Sequence, residues 1–169
     1  AIIVLEDKRF YSHFGLDFRG LLRAAVKNLK EMRYAEGAST ITQQLSKVIF
    51  LNADKTLSRK LRELVISFYL EYKYTKDEIL LMYLNRYDWV NNAVGIESAS
   101  RVYFNKSPKN LNIQESAMLV GMLKNSALYN PNRRLELTQR RRNTVLSQMN
   151  KYEFISDTLY DSLVQLPVV

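Results

Sequence analysis

Three times in this chain a Thr or Asn that opens an apolar-periodic run is followed three positions later by Gln or Glu: Thr40 with Gln43, Thr75 with Glu78, and Asn112 with Glu115. In that spacing the first side chain accepts from a backbone N–H inside the coming helix. The longer side chain reaches back to the N–H of the capping residue. Each pair therefore predicts a helix start, near Ile41, Lys76 and Ile113. The intervening residues repeat apolar positions at helical spacing, with no internal repeat and no low-complexity segment. The expected fold class is all-α. At 169 residues the chain is long enough for a real core and reads as one domain, 1–169.

Further helices are expected over about 18–32 behind the cap Asp17, then 56–72, 95–104, 133–149 and 155–166. In the helix opening at Ile41, the residues Ile41, Leu45, Val48 and Ile49 are the expected buried stripe, which leaves Gln43, Gln44 and Lys47 facing elsewhere. In 18–32, Leu21, Leu22, Ala25, Val26 and Leu29 share one face, and Arg19, Arg23, Lys27 and Lys30 another. This pattern fits an interfacial segment or a core helix with a charged outer side. In 56–72, Leu57, Leu61, Leu64, Val65, Phe68 and Tyr72 form a stripe opposite Arg59, Lys60 and Glu63. The cations Arg140, Arg141 and Arg142 read as a solvated face.

Charge narrows the function. Between Arg19 and Arg62 lie ten basic residues and three acids, so this segment carries seven of the eight net positive charges. Such a concentration points to a polyanion, an anionic membrane surface or a phosphorylated substrate. With no Cys there is no disulfide or thiolate chemistry, and the single histidine, His13, is expected to be structural rather than a metal ligand. No apolar run is long enough to cross a bilayer. The opening Ala1-Ile2-Ile3-Val4-Leu5 reads like the interior of a larger protein, so an excised domain is expected.

Three places carry candidate chemistry. Glu6 and Asp7 directly follow the apolar run Ile2–Leu5, so one of them is expected to lose solvent and serve in proton transfer; a helix cap or an ion pair with Lys8 or Arg9 explains them equally well. The stretch Gly37-Ala38-Ser39-Thr40-Ile41-Thr42-Gln43-Gln44-Leu45 sets backbone N–H groups and two hydroxyls, Ser39 and Thr42, at the positive end of a helix. That fits an anion site, although an ordinary well-capped helix behind a loop explains these residues as well. Arg59 and Lys60, four and three residues before Glu63, hold one carboxylate beside two cations.

Taken in order, these pieces resemble glycosyltransferase family 51, the peptidoglycan glycosyltransferase domain of class A penicillin-binding proteins and monofunctional transglycosylases. Glu6-Asp7-x-x-Phe10-x-x-His13-x-Gly15 is similar to the family's first motif, and Gly37 to Gln44 matches the second almost letter for letter. Arg59-Lys60-x-x-Glu63 resembles the third, and Lys76-x-x-Ile79-Leu80 with Tyr83-Leu84-Asn85 the fourth. Gly95-Ile96, Tyr103-Phe104 and Tyr129-Asn130-Pro131 fall where the family has similar signatures. The chain departs from the pattern at Leu81, where Glu is usual, at Trp89-Val90, and at Lys55, where the family has Arg.

The resemblance implies a lysozyme-like, two-lobed fold with a membrane-proximal small lobe, carried by a longer membrane-anchored protein. It implies polymerisation of lipid II into β-1,4-linked glycan with inversion and release of undecaprenyl diphosphate, at the outer face of the cytoplasmic membrane in cell wall synthesis. Glu6 is then the base, with Glu63 the second catalytic carboxylate. Asp7, Ser39, Thr40, Thr42, Gln43, Gln44, Lys47, Lys55, Arg59 and Lys60 are then the residues binding diphosphate and sugar. Glu63 would orient these cations or help hold a divalent ion, Mg²⁺ or Mn²⁺. The implied partners are lipid II, the growing lipid-linked glycan, the membrane surface and a transpeptidase domain in the parent chain, and no nucleic acid. The alternatives are a lysozyme-like hydrolase or lytic transglycosylase, a basic nucleic-acid-binding module, and an inactive scaffolding relative. A hydrolase needs no cation cluster beside its carboxylates, because a diphosphate, unlike an alkoxide, leaves as a stable anion.

Overall fold

The computed structural model describes residues 1–31, 39–50 and 56–168. Among the described residues there are nine α-helices and two 3-10 turns, and no strand beyond one isolated bridge between Asp88 and Val94. The helices are α1 (Ile2–Glu6), α2 (Phe18–Lys30), α3 (Ile41–Phe50), α4 (Leu57–Lys73), α5 (Lys76–Arg86), α6 (Ile96–Phe104), α7 (Ile113–Met122), α8 (Leu135–Lys151) and α9 (Asp157–Gln165). The all-α expectation is met. All three capping boxes form: Thr40 N–H donates to Gln43 Oε1 (2.9 Å), Thr75 N–H to Glu78 Oε2 (2.8 Å) and Asn112 N–H to Glu115 Oε2 (2.8 Å). Asp17 caps α2 through the Gly20 N–H (2.8 Å).

The chain divides into two compact units: Ala1–Leu5 with Tyr87–Val169, and Glu6–Arg86. The first is built on α7 packed against α8. Ala117, Val145, Leu146, Ile155 and Leu163 form its buried cluster, and Ala1 and Leu5 pack on it. Trp89 is fully buried, its indole N–H donating to Leu119 O (3.0 Å). After it Val90, Asn91 and Asn92 all take positive φ, at 58, 52 and 60°. This left-handed turn lets the Trp89 N–H reach Ala93 O (2.9 Å). Asn tolerates that region, whereas a β-branched Val does not without strain. The Trp89-Val90 departure noted in the sequence thus shapes a distinct loop.

The solvated-face expectation for α8 fails at two positions: Arg141 is half-buried, its Nε donating to Gly121 O (3.2 Å), and Arg142 departs further. Arg140 is exposed, but Arg142 is completely buried. Its guanidinium donates to the carbonyls of Leu166 (2.8 Å), Pro167 (2.7 Å) and Val164 (3.2 Å), and to Asn143 Oδ1 (2.9 Å). It supplies the donors that the C-terminal carbonyls of α9 lack. Burial pulls its pKa below the ordinary guanidinium value.

In the second unit α3 packs against α4 and α5. Here the faces differ from expectation. Thr42, Gln43 and Ser46 of α3 are buried, whereas Val48 is exposed. On α4 the apolar stripe faces outward: Leu57, Leu61 and Val65 are 86, 64 and 69 % exposed. The buried side of α4 is Glu63, Ser67 and Leu70. The reason is chemical matching. Ser46 and Ser67 hydroxyls are 3.0 Å apart, and Thr42 Oγ1 donates to Glu71 Oε1 (2.5 Å), so α3 and α4 meet through hydroxyls and a carboxylate. Periodicity shows which residues share a face, and the partner decides which face turns inward. On α2, Gly20 and Ala24 are buried while Leu21, Leu22, Val26 and Leu29 are exposed.

Candidate active site

Glu6 is the last residue of α1, and one oxygen of its carboxylate accepts from the Gln44 side-chain amide (Nε2 to Oε2, 3.2 Å). Gln44 sits one turn into α3, and its own Oε1 accepts from the Tyr83 hydroxyl of α5 (2.8 Å). Three helices thus meet in a line of side chains ending on Glu6.

Asp7 turns the other way. It is buried, and its Oδ2 accepts from the Ile41 N–H at the start of α3 (3.0 Å). Both its oxygens lie 2.9 Å from His13 Nε2. An anion at a helix N-terminus is stabilised by the unpaired N–H groups and the dipole. The anion site expected at the α3 start is therefore occupied by the chain's own Asp7. Thr40 and Gln43 are likewise used internally: Thr40 Oγ1 donates to Gly15 O (2.7 Å) and accepts from Gln43 N–H (3.2 Å). Gly15 has φ +79, and a Cβ there would sit 3.3–3.4 Å from Glu71 and the Ser67 backbone, so only glycine passes this close to α4. His13 is the hydrogen-bonded structural histidine expected, and Arg9 pairs with Asp17 rather than with Glu6 or Asp7.

The positive side of the site is carried by α4. Glu63 is 3 % exposed; its Oε2 accepts from Arg59 NH1 (2.9 Å), and its Oε1 pairs with Lys60. Lys60 Nζ also donates to the exposed Ser39 hydroxyl (3.2 Å). The carboxylate fixes both cations on one side of α4, and their remaining N–H groups are donors suited to an anion. Arg59 Nε is buried and has no hydrogen-bond partner among the described residues. Ser39 precedes α3 and Gln44 lies in its first turn, so the Glu6 group and the Lys60–Glu63–Arg59 group are each tied to the start of α3.

Of the sequence candidates, Glu6 meets Gln44, and Ser39, Lys60, Arg59 and Glu63 form a second group. Asp7, Thr40, Thr42 and Gln43 are buried behind them as supports. Lys47 is exposed on α3, and Lys55, Gly37 and Ala38 lie outside the described residues. Sequence reasoning missed two contributors. Glu71 accepts from Thr42 and from Lys76 Nζ (2.7 Å), and Tyr83 was seen only as part of a motif. The signal for Glu71 was the four-residue spacing of Glu63, Ser67 and Glu71 on one side of α4.

A divalent-ion cage does not fit these side chains. Among the described residues no three His, Cys, Asp or Glu converge, and both Glu63 oxygens are already engaged by cations.

Comparison with known proteins gives the family. A family model described as Transglycosylase matches residues 1–150. Penicillin-binding protein 1F of Bacillus subtilis is 43% identical over 92% of this chain and 22% of its own length. Penicillin-binding protein 1B of Vibrio cholerae is 42% identical over 99% of this chain and 22% of its own. The crystal structure of penicillin-binding protein 1A from Haemophilus influenzae superposes with a TM-score of 0.53 at 26% identity, covering 76% of this chain and 16% of that one. The chain belongs to the transglycosylase family, glycosyltransferase family 51, and has its mainly-α, lysozyme-like fold. It spans about a fifth of the length of the penicillin-binding proteins it matches.

Proposed function

We propose that this domain is a peptidoglycan glycosyltransferase that polymerises lipid II into β-1,4-linked glycan with inversion, releasing undecaprenyl diphosphate. The observation that supports the reading is that Glu6, through Gln44, and the Lys60–Glu63–Arg59 cluster, through Ser39, are both tied to the start of α3. Glu6 takes the proton of the acceptor hydroxyl as its oxygen attacks the anomeric carbon. The bond from that carbon to the diphosphate oxygen breaks, and the electron pair leaves on the diphosphate. Arg59 and Lys60, held by Glu63, receive the developing negative charge, with Ser39 as an added hydroxyl donor. Asp7 supports the site by fixing the start of α3. The cations beside the carboxylates favour transfer from a diphosphate over hydrolysis of existing glycan.

The same reading places the domain at the outer face of the cytoplasmic membrane, in a parent chain with a transpeptidase domain. Its support is the exposed apolar residues of α2 and of α4, together with a groove on α2 lined by Arg19, Leu22, Arg23, Val26, Lys27 and Lys30. Liposome binding that ignores charge reversal at Arg23 and Lys27 would count against it. The deciding experiment is incubation with lipid II. Wild type is expected to give polymer and Glu6→Gln none, while shortened fragments from preformed glycan would support the lytic alternative.

A further inference from the structure

We infer that Tyr83 is a positioning residue that sets the orientation of the Gln44 amide and through it the catalytic carboxylate. The inference rests on the reading of Glu6 as the base. A glutamine amide has an accepting and a donating end that differ only in hydrogen-bond sense. Gln44 lies between a phenol 2.8 Å away and a carboxylate 3.2 Å away. An ionised carboxylate only accepts, so it demands the NH₂ end. The carbonyl end must then face Tyr83, whose hydroxyl is able to donate to it. The reversed amide would set its carbonyl against Glu6 and repel it.

Tyr83 is 1 % exposed and Gln44 partly buried. Removing the phenolic hydroxyl would leave Gln44 Oε1 without this partner in a place water reaches poorly, and the amide gains reason to turn. The geometry therefore makes α5 a contributor to the site. Tyr83 acts through Gln44, and Gln44 through one oxygen of Glu6, so each of three helices holds one member of a directional relay.

The test is a double-mutant cycle on lipid II polymerisation with wild type, Tyr83→Phe, Gln44→Met and the double variant. Tyr83→Phe is expected to lower kcat roughly tenfold while KM changes by no more than about twofold. In the Gln44→Met background the same change is expected to have no further effect, because the link it acts through is gone. An equal loss in both backgrounds, or none in either, overturns the inference. A second measurement needs no variant. In ¹⁵N spectra of the wild-type protein the Gln44 side-chain amide protons should exchange far more slowly than those of the exposed Gln165, and equal rates overturn the relay. Glu6→Gln in the same assay separates the two proposals. Retained polymerisation removes the base reading, whereas its loss beside an additive cycle removes only the relay.

Discussion

Replacing Asp7 by Ala tests whether a single carboxylate anchors the start of α3. In the folded chain that carboxylate accepts from the Ile41 N–H and from His13, out of solvent. Leaving a buried N–H unsatisfied costs about 2 kcal/mol, and losing an anion at a helix N-terminus about 1 kcal/mol more. At 2–4 °C per kcal/mol for a chain of this size, a loss of about 3 kcal/mol lowers the melting temperature by roughly 6–12 °C. Asp7→Asn keeps an acceptor for Ile41 and gives up only the charge, so a fall of about 2–4 °C is expected. The assay is thermal denaturation followed by far-ultraviolet circular dichroism in a fixed detergent, with polymerisation measured on the same samples. If Asp7→Ala melts within about 2 °C of wild type, the anchoring argument is wrong. A loss of turnover by both variants at an unchanged melting temperature would instead place Asp7 on the substrate.

On α4, Leu61→Ser should leave the melting temperature within about 2 °C of wild type. Ser67→Leu should lower it by several times as much, because Ser67 is packed on Ser46 and Leu61 is exposed. Hydrogen bonds from the Thr75 backbone N–H and then the Thr75 hydroxyl hold the Glu78 carboxyl below its usual range. A carboxyl depressed on folding stabilises above its unfolded value and loses that effect as pH falls through the folded one. The stability gap between wild type and Glu78→Gln, measured by urea denaturation, should therefore be widest near neutral pH and close in acid; a gap independent of pH refutes the assignment. Because Glu63 already serves two cations, polymerisation with EDTA should retain measurable activity, and a complete loss restored by Mg²⁺ or Mn²⁺ would show an ion this reasoning leaves out.

What could be read from the sequence was what neighbours along the chain decide. The capping boxes at Thr40, Thr75 and Asn112 all form, and α2 to α9 begin and end within a few residues of expectation, whereas the short α1 over the apolar run Ile2–Leu5 was not expected as a helix. The Arg59–Glu63 and Lys60–Glu63 pairs follow from helical spacing alone. What could not be read depends on partners far along the chain. Asp7 meets Ile41 across 34 positions, Glu6 meets Gln44 across 38 and Gln44 meets Tyr83 across 39. Nothing local marks Arg142 as the buried member of its arginine run, because its acceptors are carbonyls 22 to 25 residues away.

The inside-out arrangement of α4 carries a thermodynamic signature. Heat capacity rises on unfolding chiefly because apolar surface becomes hydrated, and hydration of polar surface works against it. Here Leu57, Leu61, Val65 and Tyr72 meet solvent in the native state, while the contact that opens between α3 and α4 includes serines, a threonine and a carboxylate. The increment per residue should fall below the globular norm, giving a shallow stability curve that bends little between cold and heat. Detergent or lipid that covers the stripe would restore the missing increment, so calorimetry with and without micelles would register the outward face directly.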